Sequence, residues 1–382
     1  MNPRLRSIAI TTIKFVTPVV IIVWLLSAID DEQWAALRSQ PKHYGVLASA
    51  FLVALAALAL TFTRWAILVR SQGIPLSMLD AYRLSAIGFL LNFVSAGSVG
   101  GDLFKGIFLA RRSPGKRIEA VASIFVDRAL GLYGLLLVVV AALAIVPPAT
   151  ASEDLQQVAR GAAVLAAVGT VALVTLVVGG RWIDRLLRRL GDLPRVGALI
   201  HRVADPLRSF HRHPVSFLIA LVLSLGVHSL LSISMYLVAR GLYDAPPGFA
   251  DHLIIVPVGM LASALPLTPA GMGILEATID WLYRVVPAEP TAASGTLVAL
   301  AFELVKLALA SVGMVFYWSS GREVQESLDA IEDEMEEELD EDLHAADERT
   351  AGEALEEREQ ADELASPEVT AGATPTPDRH PR

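Results

Sequence analysis

The chain has 382 residues, 54% of them hydrophobic and 19% charged, with no cysteine and a mean hydropathy of +0.52. A soluble domain usually carries nearer a quarter charged residues, and the hydrophobic residues here come in long uninterrupted runs that a water-soluble core does not need; the lack of cysteine excludes disulfides and thiolate metal sites. The net charge of −9 hides a division: Arg322 to Glu363 holds 20 acidic and 3 basic residues, whereas residues 1–321 hold 26 basic and 18 acidic.

A helix needs about 20 apolar residues to cross roughly 30 Å of hydrocarbon. Six segments meet that length: about 8–28, 44–69, 119–146, 159–179, 215–239 and 291–318. The first follows Arg4 and Arg6, as a signal peptide would. Its length, its interruption by Pro18 and the later spans predict a retained span instead.

Two more apolar stretches are broken. In 84–110 the apolar part ends near Val94, and Ser95, Ala96, Gly97, Ser98, Gly100, Gly101 and Asp102 follow. In 252–286, Pro266, Pro269, Gly271 and Gly273 interrupt any helix. Each stretch reads as a kinked span or as a hairpin that enters and returns, and the positive-inside rule separates the two. With both as hairpins and the N-terminus cytoplasmic, eighteen basic residues fall inside, including Arg64, Arg70 and the eight arginines from Arg181 to Arg212. Five fall outside: Arg38, Lys42, Arg160, Arg240 and Arg284. As ordinary spans, the stretches would send the eight-arginine loop outward.

The prediction is therefore an all-α integral membrane protein with six full transmembrane helices and two re-entrant hairpins. Half one covers 1–148 and half two 149–320, each reading span, span, hairpin, span. Three crossings per half make the repeat inverted, a plan in which broken helices at matching positions mark the substrate site. An acidic helical tail (321–365) and a Pro/Thr-rich disordered end (366–382) follow. Both termini are placed in the cytoplasm and the chain in the inner membrane.

The chemistry concentrates at the hairpin tips. Each returning half-helix starts with free N–H groups and a positive dipole end, which together favour an anion. Asp102 and Lys105 follow the first tip, and Glu276 follows Gly273 at the second. The spans behind repeat the pattern with Asp127 and Arg128, and with Glu303 and Lys306. Buried charges are costly unless paired or hydrated, so they mark functional positions. Capping by Asp102 and ion pairing among the span residues are the structural alternatives. Adjacent residues diverge on a helix, so Asp127 and Arg128 are predicted to pair with other elements, while Glu303 and Lys306 can meet directly. Asn92 satisfies backbone at the first tip or touches ligand. His228 lies in a polar stripe with Ser224 and Ser232, as a buried histidine or a cavity-lining group. No histidine spacing or acid cluster suggests a metal, and no cofactor is expected.

Beyond the last span, Val324, Leu328, Ile331, Met335, Leu339 and Leu343 recur at helical spacing. A self-associating or partner-binding helix over 323–343 and a solvated tail are both compatible with this pattern. Nucleic acid is not an expected partner, because the arginines of the body flank apolar runs.

These motifs resemble the membrane domain of the lysylphosphatidylglycerol synthase family, often called flippase-like. The residues concerned are Asn92 with Gly100–Asp102, Ala122-Ser123 to Asp127-Arg128, and the run from Pro266 through Thr268, Pro269 and Gly271 to Gly273 with Glu276. The second run is the most specific. The first departs where Ser95-Ala96-Gly97 stands in place of a proline common in relatives. The resemblance spans about 10–318 and implies a membrane lipid as substrate, moved between leaflets. In that family a separate soluble domain attaches the amino acid, and no such segment follows Ser320 here, so enzyme activity is not expected. A transporter of a small anionic solute fits the same electrostatics, and a non-catalytic partner protein is a third reading. The substrate-binding set expected for a translocase is Asn92, Gly100, Gly101, Asp102, Lys105, Asp127, Arg128, His228, Pro266, Thr268, Pro269, Gly271, Gly273, Glu276, Glu303 and Lys306.

Overall fold

The computed structural model describes residues 23, 27, 31–94, 100–145, 153–178, 213–264 and 273–319. All of these fall in one compact unit, Met1–Ser327. The expected first span apart from residues 23 and 27, the hairpin turns at 95–99 and 265–272, the eight-arginine loop and the tail lie outside the described residues. The regular elements described are helical: α1 (Asp31–Ser39), α2 (Tyr44–Ser71), α3 (Met78–Val94), α4 (Gly100–Arg112), α5 (Arg117–Ile145), α6 (Glu153–Val178), α7 (Pro214–Leu242), α8 (Phe249–Ser263), α9 (Ile274–Val285) and α10 (Gly295–Ser319). A one-turn 3₁₀ segment, Pro114–Lys116, leads into α5.

Five of these helices are long and apolar enough to span a membrane: α2, α5, α6, α7 and α10. They coincide with the five predicted runs that fall among the described residues. Their outer faces stay apolar and exposed, as at Leu52, Val168, Leu218, Leu304 and Val315. Such surface suits hydrocarbon rather than water. The multi-pass membrane class thus follows from pattern and structure alike.

The centre is the antiparallel pair α2 and α7. The His43 N–H donates to the Gly241 carbonyl at 3.0 Å, where α2 begins and α7 ends. Deeper along the pair, Ser234 Oγ donates to the Ala50 carbonyl at 2.8 Å. Further still, Arg64 Nη1 donates to Ser224 Oγ at 2.9 Å. Ala50, Ala54 and Ala57 form a buried small-residue stripe on α2, and small residues let membrane helices approach closely.

The broken stretches form two antiparallel helix pairs. At 17 and 13 residues, α3 and α4 are about 26 and 20 Å long. At 15 and 12 residues, α8 and α9 are about 23 and 18 Å long, so all four fall short of ~30 Å. Arg112 approaches Asp80 at 3.8 Å at the open end of the first pair. Near its closed end Gly101 lies directly against Gly88: a Cβ on Gly101 would stand 1.8 Å from the Gly88 carbonyl oxygen. In the second pair, His252 Nε2 lies 2.8 Å from the Tyr283 hydroxyl, while Gly259 packs on Ile279 and Leu275.

The packing is reciprocal. The pair α3 and α4 packs on α10 through α3 and on α5 through α4; α8 and α9 pack on α5 through α8 and on α10 through α9. Contacts of α2 with α3, α5 and α10 have counterparts in those of α7 with α8, α10 and α5. Each short pair is therefore clamped between its own long helix and that of the other half of the sequence.

Candidate functional site

A cavity of about 260 Å³ opens between these elements. Its charged lining comes from α2 (Arg64), α4 (Asp102, Lys105), α5 (Asp127, Arg128) and α10 (Lys306). Its apolar lining includes Phe62, Trp65, Leu231, Met260 and Leu309. A charge cluster beside apolar walls is the composition that a small-molecule or headgroup site requires.

Local structure explains how the charges are held. The Gly88–Gly101 contact brings the start of α4 against α3, where a side chain would separate the backbones. Asn92 Oδ1 then accepts the Gly101 N–H at 3.0 Å, taking one of the donors left free at a helix start. Asn92 also lines the cavity. One turn on, Asp102 is buried and paired twice: Lys105 Nζ lies 2.9 Å from one oxygen, and Arg128 Nε donates to the other. The carboxylate of Asp102 is thus given to cations, which corrects the alternative that it serves chiefly as a helix cap. Lys105 Nζ also stands 5.0 Å from the centre of the Trp65 ring, a cation–π contact.

Behind Asp102, Arg64 forms a two-point ion pair with Asp127, Nε to Oδ1 at 2.8 Å and Nη2 to Oδ2 at 3.0 Å. Both side chains are only 7% exposed. With its third contact to Ser224, Arg64 ties α2, α5 and α7 together. Arg64 had been expected among the cytoplasmic loop charges, and the structure corrects this. Seven residues from the end of α2, it lies about 10 Å inside the helix. That depth was the available sign that it needed a buried partner.

The second half is built differently. Gly273 adopts φ 89°, open to glycine at little cost, and starts α9. Glu276 Oε2 accepts the Gly273 N–H at 2.6 Å, half of a capping box. Its other oxygen, Oε1, is buried and has no side-chain partner among the described residues. Glu303 lies 2.5 Å from Lys306 Nζ, the predicted i, i+3 meeting. Lys306 lines the cavity; Glu276 and Glu303 stand behind it.

The family model described as Lysylphosphatidylglycerol synthase TM region matches residues 7–313. The chain belongs to that family. Its membership agrees with the multi-pass membrane character and relates the chain to lipid handling. Comparison with curated proteins and with solved structures returns no match.

Of the predicted site residues, the cavity gathers Asn92, Asp102, Lys105, Asp127, Arg128 and Lys306. Gly100, Gly101, Gly273, Glu276 and Glu303 support it from outside the lining. His228 also lies off the lining: its Nε2 is 3.0 Å from the Gly131 carbonyl, so it joins α7 to α5. Ser224 and Ser232 donate to the carbonyls of Ala220 and His228 within α7, so the polar stripe is largely absorbed into helix packing. Pro266, Thr268, Pro269 and Gly271 lie outside the described residues. Trp65 and Ser85 also belong to the lining, and their indole N–H and hydroxyl are buried without a hydrogen-bond partner among the described residues. Neither was singled out, because an apolar run lends no weight to a lone tryptophan or serine.

Proposed function

We propose that the chain is a lipid translocase that carries an anionic or aminoacylated lipid, or a polyprenyl-phosphate carrier, between leaflets. The observation that carries this reading is the cavity, where four cations face two carboxylates beside an apolar wall. After Asp102 and Asp127 are neutralised, positive charge remains for a phosphate. The Trp65 N–H and Ser85 hydroxyl, without a hydrogen-bond partner among the described residues, would add two neutral donors. Acyl chains stay in the bilayer, against the exposed apolar faces, while the headgroup crosses through the polar cavity.

In this reading the short pairs α3–α4 and α8–α9 are re-entrant hairpins, and with six spans they form an inverted repeat. Their sub-membrane length and reciprocal packing support that arrangement. Rocking of the halves about the α2–α7 pair would open the cavity to each leaflet in turn. The distribution of basic residues supports cytoplasmic termini, and this reading puts the protein in the inner membrane. The acidic tail stands apart from transport and serves contacts with protein.

Reconstitution into vesicles carrying fluorescent phosphatidylglycerol tests the proposal, with dithionite quenching to count outward-facing lipid. Flipping faster than in protein-free vesicles, and lost in Asp102→Asn, is expected. Equal rates with and without protein across several anionic headgroups would remove the translocase reading. Uptake of a soluble organic phosphate without lipid movement would replace it with a small-solute transporter.

A further inference from the structure

We propose that Glu276 is a proton-binding site, linked to the headgroup cavity through Glu303 and Lys306; the linkage rests on the translocase reading. Three observations meet here. Glu276 is fully buried, with one oxygen on the Gly273 N–H and the other without a side-chain partner among the described residues. The charged groups acting on it are Glu303 and Lys306, both from α10. Lys306 is already engaged by Glu303 at 2.5 Å and lines the cavity.

The charges at this point do not balance. Among the described residues Lys306 is the one cation that acts on both Glu276 and Glu303, so one buried carboxylate lacks a counter-charge. A bare carboxylate in such a place is strongly disfavoured. Other titratable groups do not supply the balance. On α8 these are Asp251 and His252, at the opposite end of the pair, where His252 meets Tyr283. On α9 itself Asp280 and Arg284 pair with each other. Tyr317 is more than two turns beyond Lys306 on α10. A proton on Glu276 Oε1 removes the surplus charge and leaves the Gly273 contact intact. A metal cation fits less well, because it needs several oxygens and the Lys306 ammonium already sits against the Glu303 carboxylate.

The link to transport is an exchange of charges. An anionic headgroup in the cavity competes with Glu303 for the Lys306 ammonium. When Lys306 turns to the phosphate, Glu303 loses its counter-charge, and one proton from water replaces it on the Glu276–Glu303 pair. Headgroup and proton then travel together and leave together. The proton gradient would supply the drive, with no nucleotide involved.

Two measurements test this on the full-length protein in nanodiscs. Infrared spectra of wild type at neutral pH should contain the carbonyl stretch of a buried carboxylic acid, and Glu276→Gln should lack it. Its absence from wild type, or its survival in Glu276→Gln, overturns the site, and so does its loss on adding sodium but not choline chloride. This readout needs neither lipid nor flipping, so it stands if the translocase reading fails. In weakly buffered solution, short-chain phosphatidylglycerol should drive uptake of about one proton per lipid bound, and none in Lys306→Met. Lipid binding without proton uptake overturns the linkage while leaving the cavity's role intact. In vesicles, an imposed pH gradient should skew the leaflet distribution of the fluorescent lipid in wild type. An unskewed distribution with normal flipping overturns coupling alone.

Discussion

In the first hairpin pair Asp102 lies between Lys105 and Arg128, whereas in the second Glu276 reaches back to its own helix start and forms no ion pair among the described residues. The long helices behind them extend the contrast. Asp127 has a dedicated partner in Arg64, while among the described residues Glu303 meets only its neighbour Lys306. Two acids thus face three cations in half one, and two acids share one cation in half two. The same helical frame, packed reciprocally, presents opposite charge surpluses on its two sides. Half one can lend a cation to a ligand and still keep its acids neutralised. Half two cannot, because whatever engages Lys306 exposes a carboxylate. In the proposed reading, anion holding and charge compensation would therefore fall to different halves.

The contrast breaks most severely at Arg64. Replacing one partner of a buried ion pair leaves the other charged and unsatisfied, at about 3–5 kcal/mol. Arg64→Met should lower stability by that order, measured by unfolding in mixed detergent, and flipping should fall with it. The double variant Arg64→Met with Asp127→Leu should recover most of the loss, since neither charge remains. In half two, Lys306→Met should cost less, because Glu303 can take a proton instead. Equal losses for Arg64→Met and Lys306→Met would erase the difference between the halves.

The glycines offer a second, smaller test. A Cβ on Gly101 would stand 1.8 Å from the Gly88 oxygen and 2.8 Å from Asn92 Oδ1. The Gly88 obstacle is backbone and cannot swing away, so the pair α3–α4 must open. On Gly259 the Cβ meets Ile279 Cδ1 at 2.5 Å and Leu275 Cδ1 at 3.3 Å, both ends of movable side chains. Overpacking costs about 1–3 kcal/mol. Gly101→Ala should sit at the top of that range and lose most flipping, because it also displaces Asp102. Gly259→Ala should sit at the bottom and retain activity.

Much of this was legible in the sequence, for identifiable reasons. Hydrophobic run length located α2, α5, α6, α7 and α10, because crossing a bilayer imposes a length that few other demands do. The glycines at 100, 101 and 273 marked the helix breaks. The i, i+3 spacing foretold the Glu303–Lys306 contact, while adjacency said correctly that Asp127 and Arg128 would seek different partners. What spacing could not supply was which helix provides the partner. Arg64 and Asp127 are separated by two helices and a turn, and only the packing of α2 against α5 brings them together. For the same reason Asp102 could be read as a cap: its cation Arg128 comes from the next long helix. Recurrence at matching positions implied equal roles for Asp102 and Glu276, whereas their partners differ.

Lys105 sharpens the comparison from the ligand side. Its ammonium contacts Asp102 and the Trp65 ring and lines the cavity. A charge-assisted hydrogen bond contributes about 1.5–3 kcal/mol, so Lys105→Met should weaken phosphatidylglycerol binding at least tenfold, ~1.4 kcal/mol. Arg128 keeps Asp102 paired, so stability should change little. Binding by microscale thermophoresis in detergent would measure this. The lipid-linked proton uptake should persist in Lys105→Met at saturating lipid, because it depends on Lys306. Uptake lost equally in both lysine variants would show that the two halves act as one electrostatic site.

The smallest effect is expected at His228, which lies between the halves but off the cavity. Its Nε2 meets the Gly131 carbonyl, and Nδ1 has no partner among the described residues. A hydrogen bond between membrane helices contributes about 0.6 kcal/mol on average. His228→Phe keeps a planar ring and removes that bond, so stability should fall by roughly that amount and flipping should remain near wild type. A merely structural His228 also predicts that the pH profile of flipping is unchanged, because the ring carries no transported proton. If His228→Phe instead flattened the pH profile at normal stability, the proton route would run along α7, and the assignment of charge compensation to Glu276 and Glu303 alone would fail.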